Sequence, residues 1–201
     1  MCLLGMEQEE VWDVVAEKWA EFRKNPVEEV IEFLKGKEGK VLDLGCGSGR
    51  NCLDIEVLDF YGVDFSKGLL ELAKDKGYFE LKKGFSYDVP YADEVFDYVV
   101  FARVLHCVDS VEKRRKSLEE VYRVLKKGGE ALIVTWGAKG CKRLERGKKE
   151  GFVSWTVGDR KVERYTYVYE MSELMKELED VGFEVLKSWE DKNLCFIVRR
   201  V

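Results

Sequence analysis

The chain has 201 residues, of which 46% are hydrophobic and 36% charged, and its formal net charge is -5. These values fit one globular domain with a sizeable core and exclude a disordered segment or a globally basic nucleic-acid binder, though not a local basic patch. No apolar run approaches membrane-spanning length and the first residues lack a signal-peptide core, so no membrane association is expected and the cytoplasm is the expected location.

Residues 7–23 read as an amphipathic helix, with Val11, Val14, Val15, Trp19 and Phe22 at helical spacing. It either packs on the core alone, which the pattern favours, or also closes over a ligand. A second helix follows Pro26 and is broken by Gly36 and Gly39. A first strand spans 40–45. The stretch from Arg50 to Val57 leaves room for one or two helical turns before a second strand at 58–64. Ser66 caps the next helix, which Gly77 ends. Tyr78–Lys83 alternates as an edge strand guarded by lysines. Phe96–Val104 is a fourth strand, Val111–Lys126 a charged helix stopped by Gly128-Gly129, and Glu130–Trp136 a fifth strand. Periodicity then fades, and 137–163 reads as a Gly-, Lys- and Arg-rich inserted substrate loop. Arg164–Tyr169 is aromatic and extended, Ser172 caps a helix through Val181, and strands at 183–190 and 194–200 close the sheet. The order predicts a single α/β domain over 1–201, with a seven-stranded, mostly parallel sheet and helices on both faces.

The stretch with the most chemical content is Lys40-Val-Leu-Asp-Leu-Gly-Cys-Gly-Ser-Gly-Arg50. A buried strand runs into Gly45, Gly47 and Gly49, which free the backbone to turn sharply and approach a flat polar ligand. Arg50 stands where the dinucleotide fingerprint requires its last glycine, and no P-loop lysine is present. Tyr61-Gly-Val-Asp64 ends the neighbouring strand in an acid, and a carboxylate there suits the two hydroxyls of a ribose. A nucleoside without pyrophosphate therefore fits best. Asp43 either orients the loop or reaches the ligand. Six scattered cysteines without a C-x-x-C pair, and a single histidine, give no expectation of a metal site. One glutamine and three asparagines amid many charges match the bias of heat-adapted proteins.

The glycine loop with its strand-end acid resembles the S-adenosylmethionine site of class I methyltransferases. Further segments narrow the resemblance: Val104-Leu-His-Cys-Val108, Lys113-Arg-Arg115, Gly128–Trp136, Phe152-Val-Ser-Trp155, Arg164-Tyr-Thr-Tyr-Val-Tyr169 and Trp189-Glu-Asp-Lys-Asn193. In that order they resemble the tRNA wobble-uridine carboxymethyl methyltransferases, from Trp12 to the C-terminus. The resemblance implies the Rossmann-like class I fold and S-adenosyl-L-methionine as cofactor. Asp43, Gly45, Gly47, Gly49, Asp64, Phe65, Phe85, Ser86 and Arg103 are then assigned to the cofactor. It also implies transfer to a carboxylate on tRNA, and a small zinc-binding activator subunit pairing with the edge strand at 78–83. The chain departs from the family pattern at Cys107, Ser154, Tyr167 and Phe85. Phe85 can stack on a purine face while the Ser86 backbone bonds its edge.

A carboxylate acceptor is ionised at neutral pH and needs a positioning cation more than a base. Arg164 is the first candidate for that fork, because it matches the family motif. Arg103 is the second, for the acceptor or for the donor's own carboxylate. His106, at the end of the fourth strand, is either a hydrogen-bonded structural residue or a functional one. Trp155 and Tyr167 either stack a flipped base or belong to the core, and Asn193 marks the tail motif. Lys139, Lys142, Arg143, Arg146, Lys148 and Lys149 form a basic run that is either a solvated face or a phosphate contact. Two other readings compete: a methyltransferase of small metabolites, and a fold that binds cofactor without turnover.

Overall fold

The computed structural model describes residues 6–139, 144 and 148–201. Helices α1 (Gln8–Phe22) and α2 (Glu28–Leu34) precede strands β1 (Gly39–Leu44) and β2 (Leu58–Asp64). Then come α3 (Lys67–Ala73), β3 (Glu80–Lys83), β4 (Phe96–Ala102), α4 (Val111–Val124) and β5 (Leu125–Thr135). A hairpin of β6 (Glu150–Val157) and β7 (Arg160–Tyr167) leads to α5 (Met171–Val181), β8 (Phe183–Glu190) and β9 (Leu194–Arg200).

Seven strands form one sheet in the order β3-β2-β1-β4-β5-β9-β8. Neighbours from β3 to β5 pair in parallel, while β9 runs antiparallel to both β5 and β8. The central strands are apolar on both faces, because both are covered. Val99, Phe101 and Ile133 pack with Leu118 and Val121 of α4 and Leu174 of α5. Their neighbours Val100, Ala102, Leu132 and Val134 pack with Val30, Phe33 and Leu34 of α2. Strand order reverses between β1 and β4, which opens a crevice at the carboxyl ends of β1, β2 and β4.

Five expectations are corrected. No helix joins β1 to β2: Gly45, Gly47 and Gly49 take φ of 73°, 57° and 84°, so the crossover is a run of turns. Strand β4 stops at Ala102 because Arg103 adopts φ 65°. Helix α4 ends at Val124, where Leu125 pairs with Phe96, and Gly128-Gly129 lies inside β5. The segment 137–163 is not only an inserted loop. It carries β6 and the start of β7, turning at Gly158 with φ 56°. Finally, Glu170 rather than Ser172 caps α5, in a reciprocal box with Glu173. Strand β3 does form the sheet edge, beginning at Glu80 instead of Tyr78. No helix of the described residues is long and apolar enough to cross a membrane.

Candidate active site

The glycine loop and the strand-end acid meet. Gly45 and Cys46 both donate their backbone N–H to the Val63 carbonyl, at 2.7 and 3.0 Å. Gly47 N–H donates to Asp64 Oδ2 at 2.8 Å, and Ser66 N–H to Asp64 Oδ1 at 2.9 Å. Asp64 thus ties the loop after β1 to the start of α3. The carboxylate is held by backbone N–H groups and keeps acceptor positions for a ligand hydroxyl. Burial raises its pKa to about 6, against the pull of the Ser66, Gly47 and Phe65 backbone donors.

Asp43 belongs to the frame rather than the wall. It is 1% exposed, accepts from the Tyr78 hydroxyl at 2.7 Å, and burial raises its pKa to about 6. Of its two expected roles it performs the first, holding the loop. Gly49 is also structural: a Cβ there would stand 2.7 Å from Lys76 Cγ and 3.0 Å from Tyr78.

A cavity of about 270 Å³ lies against Gly45, Gly47, Asp64, Phe65, Phe85 and Ser86. Phe65 meets Phe85 at 5.8 Å with the rings tilted by 45°, and Phe85 stacks on Tyr87 at 5.0 Å, so one end is an aromatic wall. Helix α1 roofs the cavity with Trp12 and Trp19, correcting the expectation that it only packs. It is pinned at several points. Asp13 accepts from Ser66 Oγ at 2.5 Å and Gly68 N–H at 3.0 Å. Lys83 pairs with Glu9 at 2.6 Å, and Gln8 bonds β7 on both sides of its amide.

At the other end Arg23, Arg50 and Arg103 line the wall. Burial, then the charges of Arg103 and Arg23, lower the Arg50 pKa to about 10. Arg103 holds its left-handed backbone while its N–H donates to the Val134 carbonyl at 2.6 Å. A side chain other than glycine in that region stores strain, a feature concentrated at functional sites. Arg103 Nε, His106 Nδ1 and Thr135 Oγ1 are buried without a hydrogen-bond partner among the described residues, all at the carboxyl ends of β4 and β5.

The remaining sequence candidates sit elsewhere. Arg164 is 4% exposed, its guanidinium 5.3, 5.0 and 5.0 Å from the ring centres of Trp12, Trp19 and Trp155. It is off the cavity wall, in a cation–π cage that props two roof residues, so the clamp expectation for it is revised. Arg164→Ala removes that prop and its packing. The expected loss is about 2–4 kcal/mol, read as a fall in Tm of about 5–15 °C by calorimetry. Trp155 serves the same cage. Tyr167 packs on the Arg114 guanidinium at 3.8 Å and donates its hydroxyl to Glu173, so it joins the core and cannot stack a base. His106 stacks on Trp136 at 4.5 Å, and burial, then the nearby Arg164 and Arg103, lower its pKa to about 3. It is neutral at physiological pH. Asn193, 8% exposed, lines a neighbouring cavity.

Of the basic run, Lys142, Arg143 and Arg146 lie outside the described residues. Lys139 pairs with Glu190 at 3.2 Å, and Lys149 with Glu170 and Glu173 at 3.2 and 3.3 Å. Sequence reading missed Arg23 and the roof tryptophans, and took Arg50 only as a missing glycine. The signal for Arg50 was its place at the end of the loop.

A parallel sheet with this strand order, a bare-backbone loop and an acid closing the next strand define an α/β protein built to hold a nucleoside. The chain matches the methyltransferase domain family over residues 42–133. A putative methyltransferase of Encephalitozoon cuniculi is 34% identical over 169 residues, covering 81% of this chain and 78% of that protein. The tRNA (carboxymethyluridine(34)-5-O)-methyltransferase of Arabidopsis thaliana is 32% identical over 131 residues, covering 64% of this chain. The match spans only 32% of that protein's length. A chain in the solved complex between the Haloferax volcanii Trm112 methyltransferase activator and a putative methyltransferase shares the fold, with TM-score 0.71, 18% identity and 96% of each chain covered. The chain belongs to the S-adenosylmethionine-dependent methyltransferases of class I fold.

The residues present fit that cofactor. Gly47 has nothing within 4 Å of where a Cβ would be, so the loop offers bare backbone to the cavity. Asp64 would have acceptor positions for a ribose, and Phe65, Phe85 and Tyr87 would offer an aromatic wall to an adenine.

Proposed function

We propose that the chain methylates the carboxylate of a carboxymethyl arm on the wobble uridine of tRNA. The observation that carries this reading is the convergence of Arg23, Arg50 and Arg103 on the wall shared by two cavities. Guanidinium forks suit a carboxylate, and an anion between them would offset both the burial and the neighbouring positive charges that lower the Arg50 pKa. The Arabidopsis relative, a tRNA (carboxymethyluridine(34)-5-O)-methyltransferase, supports the reading.

The cofactor, when bound, supplies an activated methyl on a sulfonium. The chain then has to place the acceptor oxygen in line and keep it close. Arg50 and Arg103 hold the carboxylate, the α1 roof excludes water, and no proton has to move. A neutral, buried His106 is consistent with that. Strand β3 leaves one sheet edge open beside Phe79, which is 72% exposed, and would receive a Trm112-type, zinc-binding activator by strand addition. The reading places the reaction in the cytoplasm.

The test is methyl incorporation into tRNA lacking this modification, with and without the activator. Label in the wobble nucleoside supports the reading, while label only in small metabolites overturns it. Arg103→Gln is expected to slow transfer about 10- to 150-fold, from the loss of a hydrogen bond to a charged group. S-adenosylhomocysteine affinity by calorimetry should stay within about twofold. A parallel fall in that affinity would instead assign Arg103 to the donor's carboxylate.

A further inference from the structure

A second cavity of about 530 Å³ adjoins the first across Arg23, Arg50 and Arg103, a size suited to a small ligand. Its walls come from residues 21–29, between α1 and α2, and from 191–193, between β8 and β9. Most of that wall is polar. Its one aromatic ring among the described residues is Phe22, which is 59% exposed, whereas Trp12 on the same helix is 8% exposed. Phe22 touches Trp155 at 6.1 Å, and folding leaves the rest of its ring uncovered at the cavity.

We propose that this second cavity receives the acceptor nucleotide, with Phe22 as the platform on which the extruded base stacks and Asn193 as the reader of its edge. The inference rests on the tRNA reading above and deepens it. An RNA base taken out of its stack is held by an aromatic face and by hydrogen bonds to its edge. Asn193, 8% exposed on this wall, carries both a donor and an acceptor, which uracil's alternating edge requires. Trp155 and Tyr167 are committed to Arg164 and Arg114 and are not available for the base. A base on Phe22 would direct a short side arm toward the arginines common to both cavities, where the cofactor's methyl group has to arrive.

The test uses the full chain, with and without the activator, and an anticodon stem-loop RNA carrying carboxymethyluridine at the wobble position. Binding is read by fluorescence anisotropy with S-adenosylhomocysteine saturating, and transfer by steady-state kinetics with S-adenosyl-L-methionine in its place. Phe22→Ala is expected to weaken stem-loop binding and raise the RNA KM by about 5- to 100-fold, the range of one lost stacking contact. The affinity for S-adenosylhomocysteine stays unchanged, and Tm moves by no more than about 2 °C, as for a surface substitution. Phe22→Trp restores binding. If wild type methylates the stem-loop and Phe22→Ala leaves both binding and KM unaltered, or Phe22→Trp fails to rescue, the platform assignment is overturned. If wild type neither binds nor methylates the stem-loop, the tRNA reading itself falls, and this inference with it.

Discussion

Gly45→Ala is expected to lower Tm by about 5–15 °C and to abolish measurable cofactor binding, whereas Gly47→Ala should cost only a few degrees and still weaken the cofactor. The two glycines look alike in the sequence, two residues apart in one loop. Their surroundings differ. A Cβ on Gly45 would lie 2.3 Å from Val104 Cγ2 and 2.9 Å from Cγ1, and the backbone there has φ 73°. The left-handed conformation costs an L residue about 1–2 kcal/mol, and overpacking adds about 1–3 kcal/mol. Relief would require the loop after β1 to move away from the segment after β4, and both segments line the cavity. At Gly47, φ is 57° and nothing lies within 4 Å, so only the conformational cost of about 1–2 kcal/mol applies. The new methyl instead occupies space the ligand needs. Thermal unfolding with and without S-adenosylhomocysteine separates the cases. A Gly45→Ala protein with wild-type Tm and a normal ligand-induced shift would contradict the contact with Val104.

Asp64→Asn is expected to reduce S-adenosylhomocysteine affinity by about 100-fold or more, since two hydrogen bonds to a charged acceptor are lost at about 1.5–3 kcal/mol each. The substitution keeps the size of the side chain but puts an amide donor against the N–H of Gly47 or Ser66. A pH dependence goes with it. The folded, unliganded carboxyl has a pKa of about 6, so it is ionised at pH 7.5 and mostly protonated at pH 5. A cofactor whose hydroxyls donate to the carboxylate binds the ionised form. Its affinity should therefore rise through pH 6, level off above pH 7, and fall about tenfold per unit in more acid solution. The stability of the unliganded protein runs the other way for this group. Its folded pKa lies above its ordinary value of 3.8, so its favourable contribution is full below that value and is lost as pH rises through 6. Calorimetric titrations from pH 5 to 8 on wild type and Asp64→Asn check both statements. A wild-type affinity that is flat across that range would remove Asp64 from the ribose contact.

His106 has the opposite linkage. Its folded pKa of about 3 is below its ordinary value of 6.5, so its buried neutral form adds stability above pH 6.5 that is lost as pH falls toward 3. Acid therefore loosens the segment after β4 while it favours the protonated carboxyls of Asp43 and Asp64.

Local signals read correctly where each depended on short range. The glycine loop and Asp64 could be paired in advance because strands buried on both faces announce themselves as apolar runs, and parallel strands must end on the same side. Ser66 as the cap of α3 was legible for the same reason, and its hydroxyl accepts from Leu69 N–H at 3.1 Å. The hairpin β6–β7 left a fainter trace. Val153, Trp155 and Val157 alternate, and Gly158-Asp159 is a turn pair, but only Val153 of β6 is buried, so the pattern has one thin face. The helix expected between β1 and β2 failed because three glycines at positive φ favour turns over a helical nucleus.

The sequence by itself determined the parallel core, the bare loop and the acid beside it, because backbone conformation and burial are written into neighbouring residues. Only the tertiary structure decided which arginines line the cavities. Arg164 lies in a motif and Arg50 in an apparent mismatch, yet Arg164 is taken up by three tryptophans while Arg50 and Arg103 line both cavities. An arginine is long enough to turn toward solvent, a carboxylate or an aromatic ring, and the choice is set by side chains more than a hundred positions away in the chain. For Arg164 they are Trp12 and Trp19 on α1, whose docking onto β7 no local pattern encodes.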